Sequence, residues 1–416
     1  MNHYNSNRIS SDRPYQIGID DCAIILLFFA LLAGKYTLTR FSEGLQESGL
    51  FSLVAYYFLL PLFFLAIIFI YSRKYYWIKM PWDFSAFMYS SVILNVYMSI
   101  SASWAPFSNL DLALQVALVP ILLALSYLFL RHRAKRETTL ILQLTFGAGL
   151  IFGIGGLASS GFSGFGIDRM SAFGGGPNVF VRVVGGGLIA GLYLYFAKRQ
   201  RIVVLAMPIL IVAALASGSR GGVIGLVLSV FFLGVWVLPK YVARSTMLLT
   251  CLIIGVLTYI IYTMIADSGS LDFLRHRFYA LTIETQYFSG RDVSFSEALR
   301  IFFDHPVAGV GLGGFQSITG VFAYPHNLIL HVCAEGGVLG LVVLISSMLL
   351  LIRRWFQERS AECEFVLAIC ILYFFSSLLS GGIYDARFIW FYGLMYMLPT
   401  HRGDFESHEI KAPIRD

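Results

Sequence analysis

Apolar runs of membrane-spanning length alternate along this chain with short clusters of lysine and arginine. The runs at 50–71, 246–266 and 365–384 contain no charged residue. Lipid offers no partner to backbone N–H and C=O groups, so runs of this length satisfy themselves as helices. An outer-membrane barrel would need strands of alternating polar and apolar residues, a pattern these runs lack. The pattern predicts helices near 20–38, 50–71, 84–104, 112–130, 139–160, 179–197, 202–217, 222–239, 246–266, 327–352, 365–384 and 388–400. The fold class expected is therefore all-α, a polytopic integral membrane protein of about twelve spans. A single membrane domain is expected over 1–416, with one long loop at 267–326. The first run is short and follows some polar residues, but no small-residue cleavage pattern comes after it. It is read as a retained helix and not as a signal peptide.

Composition agrees with this reading. Of 416 residues 57% are hydrophobic and 13% charged, against roughly 25% charged in soluble domains. Charge then orients the chain. The two termini and the loops near 73–79, 131–136, 198–201, 240–244 and 353–359 hold twenty of the thirty basic residues. Cytoplasmic loops carry such an excess, which predicts both termini inside and the 267–326 loop on the periplasmic side. The remaining ten are Lys35, Arg40, Arg169, Arg182, Arg220, Arg275, Arg277, Arg291, Arg300 and Arg387, nine of them arginine. Insertion treats the two basic residues alike. The bias to guanidinium points to planar, multi-donor binding of an oxyanion such as phosphate or carboxylate. The five cysteines lie singly in or beside apolar runs, so neither a disulfide framework nor a zinc site is expected.

Several local patterns bear on chemistry. Ser217-Gly218-Ser219-Arg220-Gly221-Gly222 separates two short apolar helices, where small residues allow a sharp turn and a helix start attracts anions. The competing reading is a plain hairpin whose Arg220 reaches the interface. Ser294-x-x-Glu297 has the form of a capping box, followed by Phe295, Ala298, Leu299, Phe302 and Phe303 at helical spacing and ended by Pro306. That helix is expected on the bilayer surface or capping the bundle. Gly309-x-Gly311-x-x-Gly314 lacks the preceding strand of a dinucleotide site and reads as a tight loop returning the chain to the membrane. His326 is expected to begin the following helix and has the side chain best suited to accept a proton near neutrality; a structural role is its alternative. His331 and Glu335 lie four apart and can pair on one helix face. Metal-ligand spacing is absent from the histidines and nearby acids.

These residues carry a resemblance. His326-Asn327, then nine residues, then Gly337-x-x-Gly340 is similar to the signature of the bacterial O-antigen ligase and O-antigen polymerase family of membrane glycosyltransferases. Supporting matches are Ser219-Arg220-Gly221, Arg277-x-x-x-Leu281, Ser289-Gly290-Arg291, Asp304-His305-Pro306 with Gly309-Val310-Gly311, and Arg169 ahead of Pro177-Asn178. The similarity runs from about Arg169 to Leu341. Where ligases often continue with Thr-Trp, this chain has Leu341-Val342, which leaves ligase and polymerase both open.

The resemblance implies transfer of a glycan from an undecaprenyl-diphosphate carrier to a sugar acceptor, lipid A–core or a growing polysaccharide, at the periplasmic face of the inner membrane. Under it, Arg220, Arg277 and Arg291 stabilise charge on the departing diphosphate and His326 is the general base. Arg169, Ser219, Tyr324 and Asn327 contact substrate. It implies a metal-independent, inverting reaction without cofactor, and nucleic acid is not among the partners. A secondary transporter is the reading from another class; repeated halves would support it, and none is visible.

Overall fold

A computed structural model describes residues 18–35, 53–72, 80–107, 110–131, 134–159, 169–265, 276, 279, 290–357 and 360–398. The helices are α1 (Ile19–Leu32), α2 (Ala55–Ser72), α3 (Trp82–Ser101), α4 (Leu110–Leu130), α5 (Ala134–Ser159), α6 (Gly176–Phe196) and α7 (Met207–Ala216). They continue with α8 (Arg220–Phe232), α9 (Leu238–Tyr241), α10 (Arg244–Ile265), α11 (Arg291–Asp304), α12 (Gly314–Thr319), α13 (Leu328–Trp355), α14 (Ala361–Ser377) and α15 (Arg387–Met397). No strand occurs among the described residues.

Helix stands at every predicted apolar segment, yet the segments differ in span. Among the described residues, six helices are long and apolar enough to cross a membrane by length and composition, the longest being Leu328–Trp355. At 1.5 Å per residue the 11 residues of α15 cover only roughly 16 Å. The run at 365–384 breaks after Ser377, where Ser380 to Gly382 turn the chain. The two segments flanking 217–222 emerge as α7, preceded by a 3-10 turn over Arg201–Leu205, and α8, extended through a π-turn into α9.

The outward faces are apolar. In α10, Leu248, Leu249, Leu252, Val256 and Tyr259 are all exposed, as are Leu60, Phe64 and Ile67 in α2. A helix apolar on every side needs an apolar surround, which here is lipid. The interior centres on α6 and α15, buried along almost their whole length. Small residues let backbones approach: a Cβ on Gly149 of α5 would lie 2.6 Å from the Cα of Gly187 in α6. Packing of this kind replaces the hydrophobic drive that lipid removes.

Polar contacts sort to two ends of the bundle. At one end the basic residues of the predicted cytoplasmic loops pair with buried acids. Arg136 meets Asp21 at 2.8 Å, Lys198 meets Glu362 at 3.3 Å, Lys240 meets Glu364 at 2.5 Å and Arg353 meets Asp83 at 3.7 Å. Of the other set, the described Arg169, Arg182 and Arg220 stand near the opposite end, where α6 and α8 begin.

Two local expectations need correction. The capping box at Ser294 does not form, because α11 starts at Arg291 behind Gly290, whose φ is +73°. Ser294 is interior to the helix, buried, with its hydroxyl unpartnered, and Glu297 pairs with Arg300 at 2.7 Å. The helix buries Ala298 and Ile301 against Phe315 and Ala334, while Leu299 and Phe303 face outward. His326 likewise does not begin α13; Asn327 caps that helix and Leu328 opens it.

The glycine loop has a specific role. Gly337 sits inside α13 with φ +63° and ψ −161°, which interrupts the helix. The broken hydrogen bonds are replaced by the 306–311 backbone. Val338 and Leu339 N–H donate to the carbonyls of Pro306 and Val307 at 2.8 and 3.2 Å. Val310 and Gly311 N–H donate to Ala334 and Glu335 carbonyls, both at 3.0 Å. Tyr97 Oη ties the same joint, donating to Gly336 and Ala308 carbonyls at 2.8 and 3.1 Å. A broken helix at membrane depth is stable when protein satisfies its freed groups in this way.

Candidate functional site

The 217–220 turn is built by its own hydroxyls. Ser217 Oγ accepts from Ser219 N–H at 3.1 Å, and Ser219 Oγ accepts from Gly222 N–H at 3.3 Å as the N-cap of α8. The Ser219 hydroxyl then donates to Asn178 Oδ1 at 2.7 Å. Arg169 approaches from the preceding loop. Its Nη2 donates to Asn178 Oδ1 at 3.1 Å and its Nε to the Ser217 carbonyl at 3.3 Å. Arg169 and Ser219, expected as substrate contacts, are thus both bonded within the scaffold of the turn. Arg220 follows at the first position of α8, half-buried.

Asn178 links this turn to the 380–387 segment, its Nδ2 donating to Ser380 Oγ at 2.6 Å. One turn further along α6, the buried Arg182 donates through Nη2 to the Ser376 and Ser380 carbonyls at 3.0 and 2.5 Å. Asp385 lies alongside: its Oδ2 accepts from Gly382 N–H at 3.1 Å, and its Oδ1 is 3.8 Å from Arg387 Nη1. Arg387 is itself buried, donating to the Leu31 carbonyl at 3.1 Å and covering the Tyr384 ring. These two arginines hold up the floor of the site.

Gly382 borders the second half of the site. His331 and Tyr324 both lie near it, their rings stacked with centroids 6.3 Å apart. Tyr324 also packs against His326 at 4.5 Å. His326 has φ +60°, a left-handed conformation that costs a non-glycine residue about 1–2 kcal/mol. Such strain concentrates at functional positions. Asn327, expected to bind substrate, is the N-cap of α13 and accepts Leu330 N–H at 3.0 Å. The His331–Glu335 pair forms as its spacing predicted, with Nε2 and Oε2 2.8 Å apart.

Electrostatics connect Arg291 to this half. Burial, then the positive charge of Arg291, holds the His326 pKa below its usual value. Burial raises the Tyr324 phenol, with Arg291 and Arg182 opposing. A histidine kept neutral beside an arginine is equipped to accept a proton.

Of the expected residues, Arg220, Arg291, His326, Tyr324, Arg169, Ser219 and Asn327 all gather toward this end of the bundle; Arg277 lies outside the described residues. Asn178, Arg182, Ser380, Asp385 and Arg387 were not foreseen as site residues. Arg182 carries the signal of an ionisable group inside an apolar run, and Asp385 and Arg387 that of opposite charges two apart between apolar segments.

The O-antigen ligase family model matches residues 203–345. The similarity to O-antigen ligases is confined to these residues. It starts in the 3-10 turn ahead of α7 and ends in α13, so it includes the 217–220 turn, Arg291, His326 and the Gly337 joint. Arg169, Asn178 and the 380–387 floor lie beyond it. No curated protein gives a significant match. The chain is thus similar to O-antigen ligases over residues 203–345 and carries helices apolar enough to cross a membrane.

Proposed function

We propose that this protein transfers a glycan from an undecaprenyl-diphosphate carrier to the lipid A–core, acting at the periplasmic face of the inner membrane with both termini in the cytoplasm. One observation carries the reading: the arginine turn at 217–220 and the Arg291–Tyr324–His326 group lie at one end of the bundle, bridged by Asn178, Ser380 and Gly382. In this scheme Arg220, with Arg291 and Arg277, stabilises the charge that builds on the diphosphate as the anomeric C–O bond breaks. His326 takes the proton of the acceptor hydroxyl as the new bond forms. The diphosphate leaves without a general acid, and the reaction runs with inversion and without metal.

An apolar groove of ≈ 410 Å³ supports the lipid part of the proposal. It runs along α7 and α8 below the turn, lined by Ile211, Leu215, Val223, Val227 and Phe231. Because Arg220 opens the same helix, a diphosphate held there places its isoprenoid chain along this groove.

Reconstituted protein supplied with the carrier-linked glycan and lipid A–core tests the reading, with glycosylated core as the expected product. Polymerisation on the same carrier is the second reading, left open by Leu341-Val342 in place of Thr-Trp; longer carrier-linked chains would then form without core. Movement of the glycan across the vesicle with no new glycosidic bond would show a transporter instead.

The pH profile is a separate check. His326 works as the neutral base, so kcat/KM should be flat near neutrality and fall only as pH drops through a value below the ordinary 6.5 of histidine. Arg291→Gln removes a neighbouring positive charge and should move that limb to higher pH. His326→Ala should lower the rate about 10²–10⁴-fold. A wild-type limb at or above 6.5 would count against the assignment.

A further inference from the structure

The His331–Glu335 pair is more than a buried ion contact. Glu335 uses both oxygens: Oε1 accepts Phe315 N–H at 3.2 Å, and Oε2 accepts from His331 Nε2 at 2.8 Å. The carboxylate therefore fixes the proton on Nε2 and leaves Nδ1 as a lone-pair acceptor. His331 is 2% exposed, and its Nδ1 has no hydrogen-bond partner. A buried nitrogen without a partner has lost its water and gained nothing in return, so it calls for a ligand.

The place for that ligand is visible at Gly382. A Cβ built there would stand 3.5 Å from His331 Cε1, 3.7 Å from His331 Nδ1 and 3.7 Å from Tyr324 Cδ1. The absent side chain leaves a gap of about methyl size between these residues. His331 itself is buried, but Tyr324 and Gly382 are half-buried, so the gap lies just inside the surface. Gly382 N–H is occupied by Asp385. The group presented to the gap is thus an acceptor, which suits a hydroxyl and rejects a phosphate oxygen.

We propose that His331, held by Glu335, is a sugar-binding residue whose Nδ1 accepts a hydrogen bond from a glycan hydroxyl seated between Tyr324 and Gly382. This rests on the glycan-transfer reading above. The hydroxyl belongs either to the carrier-linked glycan or to the core acceptor, since both present the same chemistry. His331 is a positioning residue; it takes no proton in the reaction.

Three variants test this in vesicles containing the undecaprenyl-diphosphate-linked glycan and lipid A–core. Gly382→Ala fills the gap, meets nothing closer than 3.5 Å, and keeps an extended backbone with φ −96° that any residue adopts. His331→Phe keeps the ring and removes the acceptor. Glu335→Gln turns an amide toward His331 and favours the opposite tautomer. Each should raise KM for one substrate about five-fold or more, with Gly382→Ala unchanged in thermal stability. A rise confined to the donor KM places the hydroxyl on the carrier-linked glycan, and one confined to the acceptor KM places it on the core. Gly382→Ala that folds with both KM values unchanged overturns the inference, even where the other variants fail to fold. A lower kcat with unchanged KM values also overturns it. If the wild type forms no glycosidic bond at all, the transfer reading fails first.

Discussion

Arg220→Ala is expected to lower glycan transfer about 10²–10³-fold, equivalent to roughly 2.7–4 kcal/mol of transition-state stabilisation. The size follows from position. Arg220 opens α8, where backbone partial charge already favours anions, at the edge of an apolar interior that screens charge poorly. The turn that presents it is held independently by Arg169, Ser217, Ser219 and Asn178, so the variant should fold. The loss should lie in kcat, because the diphosphate gains charge as its bond to the sugar breaks. Arg220→Lys restores charge but not the planar fork and should recover only part of the rate. A folded Arg220→Ala protein with wild-type kcat would remove Arg220 from the mechanism. Arg169→Ala should behave differently: it loosens the turn, so stability and activity fall together.

Gly337→Ala is expected to destabilise the protein by about 3 kcal/mol or more, seen as a lower unfolding temperature in detergent or loss of monodisperse protein. Two costs act at once. The residue has φ +63°, and its Cβ would fall 2.3 Å from the Val307 carbonyl oxygen and 2.6 Å from Gly309 N. Strained backbone costs about 1–3 kcal/mol and overpacking a further 1–3 kcal/mol. Neither clash can be relieved by a side-chain rotation, since both partners are backbone. Gly309→Ala meets the facing problem, 2.4 Å from the Glu335 carbonyl carbon. Gly147→Ala in α5 is the control: nothing lies within 4 Å, and helix propensity favours the change by about 1 kcal/mol. If Gly337→Ala unfolds no earlier than Gly147→Ala, the docked joint is not what holds α13.

Much of the site could be read along the chain because its residues break a pattern. Arg220 and His326 stand out as polar groups at the ends of apolar runs, and the spacing of His331 and Glu335 is one helical turn. The glycines at 309, 311 and 337 were visible as two separate clusters. That they fit into each other was not, since a backbone hydrogen bond between residues some thirty apart leaves no periodic trace. Ser294 misled for a related reason: a capping box is a local preference, and Gly290 with the packing of Ala298 and Ile301 extended the helix past it.

The apolar runs and their basic flanks were enough to specify helices, because in lipid a backbone has few other ways to satisfy itself. They also separated two sets of basic residues, whose described members differ in partner: Arg136, Lys198, Lys240 and Arg353 meet buried acids, whereas Arg182 bonds backbone carbonyls. What required the tertiary structure was the division of labour among the arginines and polar residues. Arg169, Ser219 and Asn327 look like ligand groups in one dimension, yet their nearest partners are the turn and the helix start they stabilise. Arg182 and Arg387 belong to the arginine set that suggests anion binding, yet with Asp385 they are buried beneath the site and bonded to backbone or to each other. A side chain is free for a ligand only when no nearer group satisfies it, and that depends on neighbours far away along the chain. The same holds for His331 Nδ1, left without a partner because Gly382, fifty-one residues later, has no side chain to cover it.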